Sequence, residues 1–222
     1  NIRTFILDNI KGLVLSSIIG GGLLSLFILF YFQFPANFWL YGWIAFTGFS
    51  LFMAAFYVDL IVPLFNKLSP LEDETLMEKI KTLAEKTNFP LNNIMVIDGS
   101  KRSSKANAYF SGIGGKKSIV LFDTLLDDHS HEELLAILAH EIGHYKKKHI
   151  LYSFSVSSLN MFITLFILSW FIDSPELSQA LGAPDVNFAI GLIAFSLIYS
   201  PVSTLTSIFM NYMSRRFEYQ AD

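Results

Sequence analysis

Between Lys11 and Asp59 the chain carries no Asp, Glu, Lys or Arg, an uncharged run of 47 residues. One membrane helix needs about 20 apolar residues to cross the hydrocarbon core, so this run has room for two. Phe34-Pro35-Ala36-Asn37 sits near its middle. Pro35 cannot continue a helix, because it lacks a backbone N–H and its ring clashes with the preceding turn. The expected structure is a helical hairpin with spans at residues 13–32 and 39–62. Trp39, Tyr41 and Trp43 fall close to the turn, where amphipathic rings favour the headgroup layer. The triplet Gly20-Gly21-Gly22 is expected to let helices pack closely.

Residues 150–172 and 186–214 form two more uncharged runs, with an expected kink at Pro201 inside the second. Hydrophobic residues make up 52% of the 222 residues and charged residues 16%, against about a quarter charged in ordinary soluble domains. Four such runs in one small chain exclude a soluble protein with buried core helices. The net charge of −3 and the high apolar content exclude a disordered chain and a nucleic-acid-binding one. With no Cys, disulfides, thiolate zinc sites and cysteine nucleophiles are excluded, so any metal site must use His, Asp and Glu. No signal-peptide pattern, internal repeat or low-complexity tract is present.

Residues 63–149 hold 24 of the 35 charged residues and form the water-facing part. Four spans place residues 1–11, 63–149 and 215–222 on one side of the membrane, and the turns at 35–38 and 173–185 on the other. All 16 Lys and Arg residues fall on the first side, which the positive-inside rule makes cytosolic. The fold class is therefore mostly α: a multi-span helical membrane protein with a small α+β catalytic section. Its expected organisation is a hairpin of two spans (1–62), a catalytic section (63–149), two more spans (150–214) and a short closing motif (215–222).

Within residues 63–149, Ser69-Pro70-Leu71-Glu72 matches a helix capping box with Pro at the first helical position. Leu76, Ile80, Leu83 and Ala84 follow as an apolar stripe that ends before Asn88-Phe89-Pro90. Strands are expected at 94–98, 106–111 and 118–122, with Gly112-Ile113-Gly114-Gly115 as the turn between the last two. A second capping box, Ser130-His131-Glu132-Glu133, opens a helix expected to run past His149 into the third span.

That helix contains His140-Glu141-Ile142-Gly143-His144, an H-E-x-x-H pattern. Residues four apart stack on one helix face, so both imidazoles can reach one tetrahedral zinc ion. Glu141 lies beside them, close enough to take a proton from water without being a ligand. A third ligand is available in Glu218, 74 residues beyond His144. The motif helix leads into the third span, and the fourth returns to the same membrane face just before Glu218. Two His, one Glu and one open position make the catalytic form of a zinc site. Asp222, one turn further on, can accept the second ring N–H of a ligating His. A donor to stabilise an oxyanion is not evident in the sequence; Tyr145 and Tyr109 are candidates, each expected to be structural.

With these residues identified, the chain resembles the integral-membrane CaaX prenyl endopeptidases of type I, among the gluzincin zinc metalloproteases. The resemblance rests on Pro63-Leu64-Phe65-Asn66-Lys67, Asp98-Gly99-Ser100-Lys101-Arg102-Ser103-Ser104, Asn107-Ala108-Tyr109-Phe110, Ile119-Val120-Leu121-Phe122-Asp123-Thr124-Leu125-Leu126, the zinc motif and residues 214–222. It implies one Zn2+ per chain held by His140, His144 and Glu218, with Glu141 as catalytic base. It also implies that Asn107, Ala108 and Tyr109 line the substrate cleft, where an edge strand could hold a peptide by β-addition. The implied partners are a peptide or protein substrate, prenylated in the eukaryotic relatives, and the lipid bilayer, with no nucleic acid. The implied location is the endoplasmic reticulum in a eukaryote or the inner membrane in a bacterium, with the site on the cytosolic side. Relatives carry spans ahead of the position of Asn1 and a segment after that of Asp222 with a transition-state His and Arg, so the chain is expected to be a piece of a longer protein.

His129 and His131 at the helix start are expected to be solvated. His149, five residues past His144, faces away from the ligand side. Lys146, Lys147 and Lys148 read as membrane anchors, and Asp59 as interfacial. Two other functions compete: quality control of membrane proteins, as in HtpX-type proteases, and a catalytically silent zinc scaffold. Glu141 argues against the scaffold, since a structural site does not need it.

Overall fold

The computed structural model describes residues 2–111 and 117–221. In chain order the elements are helices α1 (Ile2–Gln33), α2 (Phe38–Leu60) and α3 (Val62–Phe65), strand β1 (Leu68–Pro70), helix α4 (Glu74–Lys86), strands β2 (Leu91–Ile97), β3 (Ala108–Ser111) and β4 (Lys117–Phe122), then helices α5 (Asp123–Asp128), α6 (His131–Lys146), α7 (His149–Phe171), α8 (Pro175–Ala180) and α9 (Phe188–Ala221). Helices α1, α2, α7 and α9 are long and apolar enough to cross a membrane, and they coincide with the four uncharged runs. At 1.5 Å per residue, the 32 residues of α1 extend about 48 Å, so its charged first turns reach past a hydrocarbon core of about 30 Å. Helix α9 runs through Pro201 without a break.

The chain divides into two compact units. The first holds Asn1–Ser16, Phe49–Lys148 and Gln220–Asp222; the second holds Ser17–Gly48 and His149–Tyr219.

The first unit is built on a mixed four-stranded sheet in the order β1-β2-β4-β3. Strands β2 and β4 are parallel, while β1 on β2 and β3 on β4 are antiparallel. The middle of β4, Ile119-Val120-Leu121, is fully buried, as expected of a strand covered on both faces. On one face Ile119 and Leu121 pack with Leu76, Ile80 and Ala84 of α4 and with Leu134, Leu138 and Ile142 of α6. On the other, Val120 and Ile97 pack with Val58 of α2 and Val62 of α3. The stripe read from the sequence is thus the buried face of α4.

Three expectations are corrected here. Ser69 and Pro70 pair with Val96 and Met95 in β1 instead of opening a helix. The cap of α4 is Asp73, whose carboxylate accepts from the Leu76 N–H at 2.9 Å; Pro70 suits the end of an outer strand, which needs no ladder donor there. Helix α6 does not continue into the third span. It stops at Lys146, and Lys148 turns into the left-handed region at φ 57°, so that α7 starts afresh at His149. A run of three Lys has no intrinsic helix-breaking tendency, so nothing local announced this break. Thirdly, an added Cβ at Gly20, Gly21 or Gly22 would meet nothing within 4 Å, and this triplet packs no described neighbour. The turn expected at 112–115 lies outside the described residues, although β3 and β4 are antiparallel as such a turn requires.

The second unit is a helix assembly around Phe27, Phe38, Leu168, Ile172 and Phe195. Trp39 stacks edge-on with Phe162 and Phe166, and the Trp43 indole N–H donates to the Ser158 carbonyl at 3.0 Å. The rings expected in the headgroup layer therefore also brace α2 against α7. The glycines that permit close approach are Gly42, against the Phe27 ring, and Gly191. A Cβ on Gly191 would stand 2.1 Å from the Ile172 carbonyl oxygen, a backbone atom that cannot swing aside. Gly191→Ala is expected to cost about 1–3 kcal/mol through overpacking, read as a lower thermal unfolding midpoint in detergent. Gly21→Ala is expected to cause no such loss, and equal midpoints in the two variants would refute the packing assignment.

Candidate metal centre

Helix α6 presents the motif. Its start is pinned by the expected capping box: the Ser130 hydroxyl accepts from the Glu133 N–H, and the Glu133 carboxylate accepts from the Ser130 N–H at 2.8 Å. Leu134, Leu138 and Ile142 anchor it to the sheet, leaving His140, Glu141 and His144 partly buried on other sides of the helix. The Nε2 atoms of His140 and His144 lie 3.1 Å apart, with their rings at 74°.

The last turn of α9 packs on the same helix. A Cβ on Gly143 would lie 2.6 Å from the Ala221 carbonyl oxygen and 3.1 Å from its Cα, so two backbones meet where only Gly fits. Glu218 lies one turn before Ala221 on α9. One ligand atom each of His140, His144 and Glu218 all lie within 4.8 Å of one another. Zn–N and Zn–O bonds of about 2.0–2.1 Å on a tetrahedron put donors about 3.4 Å apart, so two imidazole nitrogens and a carboxylate oxygen at this separation fit one ion. Asp222 lies outside the described residues.

The cleft candidates lie at the sheet's edge. β3 is the outermost strand, paired with β4 in the register Ala108↔Leu121 and Tyr109↔Val120. The carbonyl of Asn107 accepts from the Phe122 N–H at 3.0 Å, which prolongs the ladder by one residue. Its side-chain oxygen accepts from the Ala108 N–H at 2.9 Å. Burial, and secondarily the neighbouring Tyr57, pushes the Tyr109 hydroxyl above its usual range, so it stays neutral at physiological pH.

The segment 98–104 braces the approach to β3. Asp98 accepts from the Lys67 N–H at 2.7 Å, and Arg102 pairs with Asp8 at 2.8 Å and with the Asn66 amide oxygen at 2.9 Å. Asp123, at the end of β4, accepts from the backbone N–H groups of Ser100 and Thr124, both at 2.8 Å. Burial pushes its carboxyl up, but the bonds from Ser100, Thr124 and Gly99 outweigh this and hold it below the usual carboxylate range. A depressed folded pKa contributes stability that is present above the unfolded value, about 3.9, and is lost as pH falls through the folded one. Asp123→Asn is therefore expected to lower the unfolding midpoint at pH 7 and to converge on the wild type in acid. A pH-independent difference would count against this role.

The remaining marked residues lie outside the group of candidate ligands. The expectation that His129 and His131 are solvated holds only in part: His131 pairs with Asp73 at 3.0 Å, and His129 Nδ1 lies 3.3 Å from the Leu125 carbonyl oxygen. His149 is buried and stacks on Phe217 at 4.3 Å. Tyr145 packs edge-on against Phe89, and Lys146, Lys147 and Lys148 are exposed. The contribution of Gly143 escaped sequence reasoning, although a Gly inside a catalytic helix is itself a signal of close backbone approach.

Residues 70–222 match the profile of Peptidase family M48, and residues 1–67 match that described as CAAX prenyl protease N-terminal, five membrane helices. The CAAX prenyl protease 1 homolog of Oryza sativa subsp. japonica is 40% identical over 222 residues, covering 100% of this chain and 52% of the relative. The CAAX prenyl protease 1 of Saccharomyces cerevisiae is 35% identical over 237 residues, with the same two coverages. The crystal structure of S. mikatae Ste24p superposes with a TM-score of 0.92 at 35% identity, covering 100% of this chain and 55% of that one. The chain spans about half the length of the curated relatives it matches.

Proposed function

The chain belongs to peptidase family M48, and from that premise we propose that it carries the catalytic centre of a zinc endopeptidase acting at the cytosolic face of the endoplasmic reticulum membrane. The substrate of this reading is the C-terminal tail of a prenylated protein, in keeping with relatives that are CAAX prenyl proteases by name. The observation that carries it is the convergence of His140, His144 and Glu218 beside Glu141. The location of all 16 Lys and Arg residues on one predicted side supports the cytosolic face.

Each residue then has a distinct task. His140 and His144 offer imidazole nitrogens and Glu218 offers a carboxylate oxygen. Zinc, when bound there, supplies a Lewis acid that polarises the scissile carbonyl. Glu141 takes a proton from the attacking water and delivers it to the leaving amine nitrogen. Asn107, Ala108 and Tyr109 hold the substrate backbone along β3, where main-chain hydrogen bonds give affinity and side-chain pockets give selectivity.

The test offers the full-length protein, in liposomes, a farnesylated C-terminal tail peptide and an unlipidated, partly unfolded membrane protein. Cleavage of the peptide after its lipidated residue is the expected result. Cleavage of the unfolded protein alone would replace this reading by quality control. Retained zinc with no cleavage of either would replace it by a scaffold.

A further inference from the structure

Asp8 and Lys11 carry the last charges before the uncharged run begins, and both are engaged far along the chain. The Lys11 ammonium donates to the Leu64 carbonyl at 2.8 Å. The Asp8 carboxylate accepts two bonds from the Arg102 guanidinium, from Nε at 2.8 Å and from Nη2 at 3.2 Å. The remaining arm, Nη1, donates to the Asn66 amide oxygen at 2.9 Å. A rigid planar fork suits this double task, and a Lys ammonium, a single point charge, does not. The side chains of Arg102 and Asp8 are only 27% and 21% exposed, so salt screens them less than an open surface pair. The first turns of α1 therefore hold two separate stretches, the link from α3 to β1 and the segment 98–107 that leads into β3. All of these residues belong to one compact unit.

The segment is also fastened at its two ends. Upstream, the Asp98 N–H donates to the Lys67 carbonyl at 3.3 Å, and a Cβ on Gly99 would stand 2.4 Å from the Phe122 ring. Downstream, the Thr124 hydroxyl donates to the Lys105 carbonyl at 3.0 Å, just before Asn107 joins the ladder. Arg102 ties the middle of the segment to α1. Strand β3 is four residues long and is paired on one side only, so its placement depends on what holds its entry. We propose that Asp8 and Arg102 are positioning residues for the peptidase reaction, fixing through the segment 102–107 where the entry of β3 sits relative to α1. This rests on the peptidase reading above. Neither residue belongs to α6, whose own cap and core contacts hold His140, Glu141 and His144. A peptide backbone laid along β3 is bound alike before and during reaction, so a displaced strand raises KM and leaves kcat unchanged. A pair that only stabilised the fold would instead lower the unfolding midpoint and the amount of active enzyme, with KM unmoved.

The experiment uses the full-length protein in liposomes and the farnesylated tail peptide. Asp8→Asn keeps the size of the side chain and removes its charge, whereas Arg102→Lys keeps the charge and removes the fork. Each is expected to raise KM about tenfold, within the range of coupling in one hydrogen-bonded network, with kcat and bound zinc at wild-type levels. Asp8→Glu, which moves the carboxylate by one methylene, is expected to raise KM less and serves should Asp8→Asn fail to fold. The exchange of Asp8→Arg with Arg102→Asp rebuilds the pair in reverse, with Asn66 able to turn its amide toward the new carboxylate, and is expected to bring KM back toward wild type. Unchanged KM in the single variants would overturn the proposal, and so would a fall in kcat alone. An exchanged protein with the wild-type unfolding midpoint but a still raised KM would overturn it as well. If the wild type cleaves no peptide, the peptidase reading fails by itself. The pair is then judged by affinity for a fluorescent peptide, expected to fall in the single variants and recover in the exchange; an affinity that never changes would overturn it.

Discussion

Glu141→Gln is expected to lower peptide cleavage by about 10²–10⁴-fold, the usual contribution of a positioned general base, while zinc stays bound. Gln keeps the size and shape of Glu but cannot take up a proton. Glu141 sits on α6 between Leu138 and Ile142, which are buried, and beside His140, so an isosteric change leaves the packing of the helix alone. The loss should fall on kcat with little change in KM, since the proton transfer belongs to the transition state. The measurement pairs steady-state cleavage with metal analysis of the same full-length preparation. Cleavage at the wild-type rate with zinc present would remove Glu141 from the mechanism and reopen the search for a base.

Gly143→Ala carries the second large expected effect, and it acts through a contact that no ligand makes. The new Cβ would fall 2.6 Å from the Ala221 carbonyl oxygen, closer than such atoms can approach. Since both partners are main chain, relief requires the last turn of α9 to move off α6, and Glu218 lies on that turn. Ala favours helix over Gly by about 1 kcal/mol, so α6 itself gains from the change. The expected outcome is a split: zinc affinity falls about 10–100-fold, the range for losing a supporting contact at a metal site, and activity falls with it, while helicity by circular dichroism is unchanged. Zinc competition with a chelator reads the affinity. An unaltered affinity would mean that Gly143 contributes nothing to holding Glu218 in place.

The two arguments differ in where their evidence was legible. His140, Glu141 and His144 stand in one short motif, and the physics of i, i+4 stacking is local, so the pairing of the imidazoles could be read directly and stands at 3.1 Å. Glu218 was reachable through topology, because uncharged runs count the spans and the spans decide which segments share a membrane face. The Gly143 contact involves two segments 78 positions apart in the chain, and a Gly in a helix looks the same whether it faces a backbone or open lipid. The Gly20-Gly21-Gly22 triplet illustrates the converse. It carries a stronger packing signature by sequence, yet open space surrounds it among the described residues.

Local rules also ran short where two local solutions competed. Ser69-Pro70 matched a helix start, but pairing of Ser69 with Val96 draws it into β1, and the helix is capped by Asp73 instead. The tract at Lys146, Lys147 and Lys148 is neutral toward helix continuation, yet Lys148 turns into the left-handed region and α7 starts afresh at His149.

The sequence alone determined the solvent: a 47-residue stretch without charge admits only lipid or a deep interior, because unpaired charges and bare backbone groups are costly in either. It limited the chemistry as well, since a chain without Cys leaves His and carboxylates as the side-chain donors for any metal. What depended on the tertiary structure was every approach between distant backbones: the seat of Ala221 on Gly143, and the position of β3 at the rim of the sheet. Such approaches depend on the shapes of two surfaces together, and neither segment encodes the other's shape.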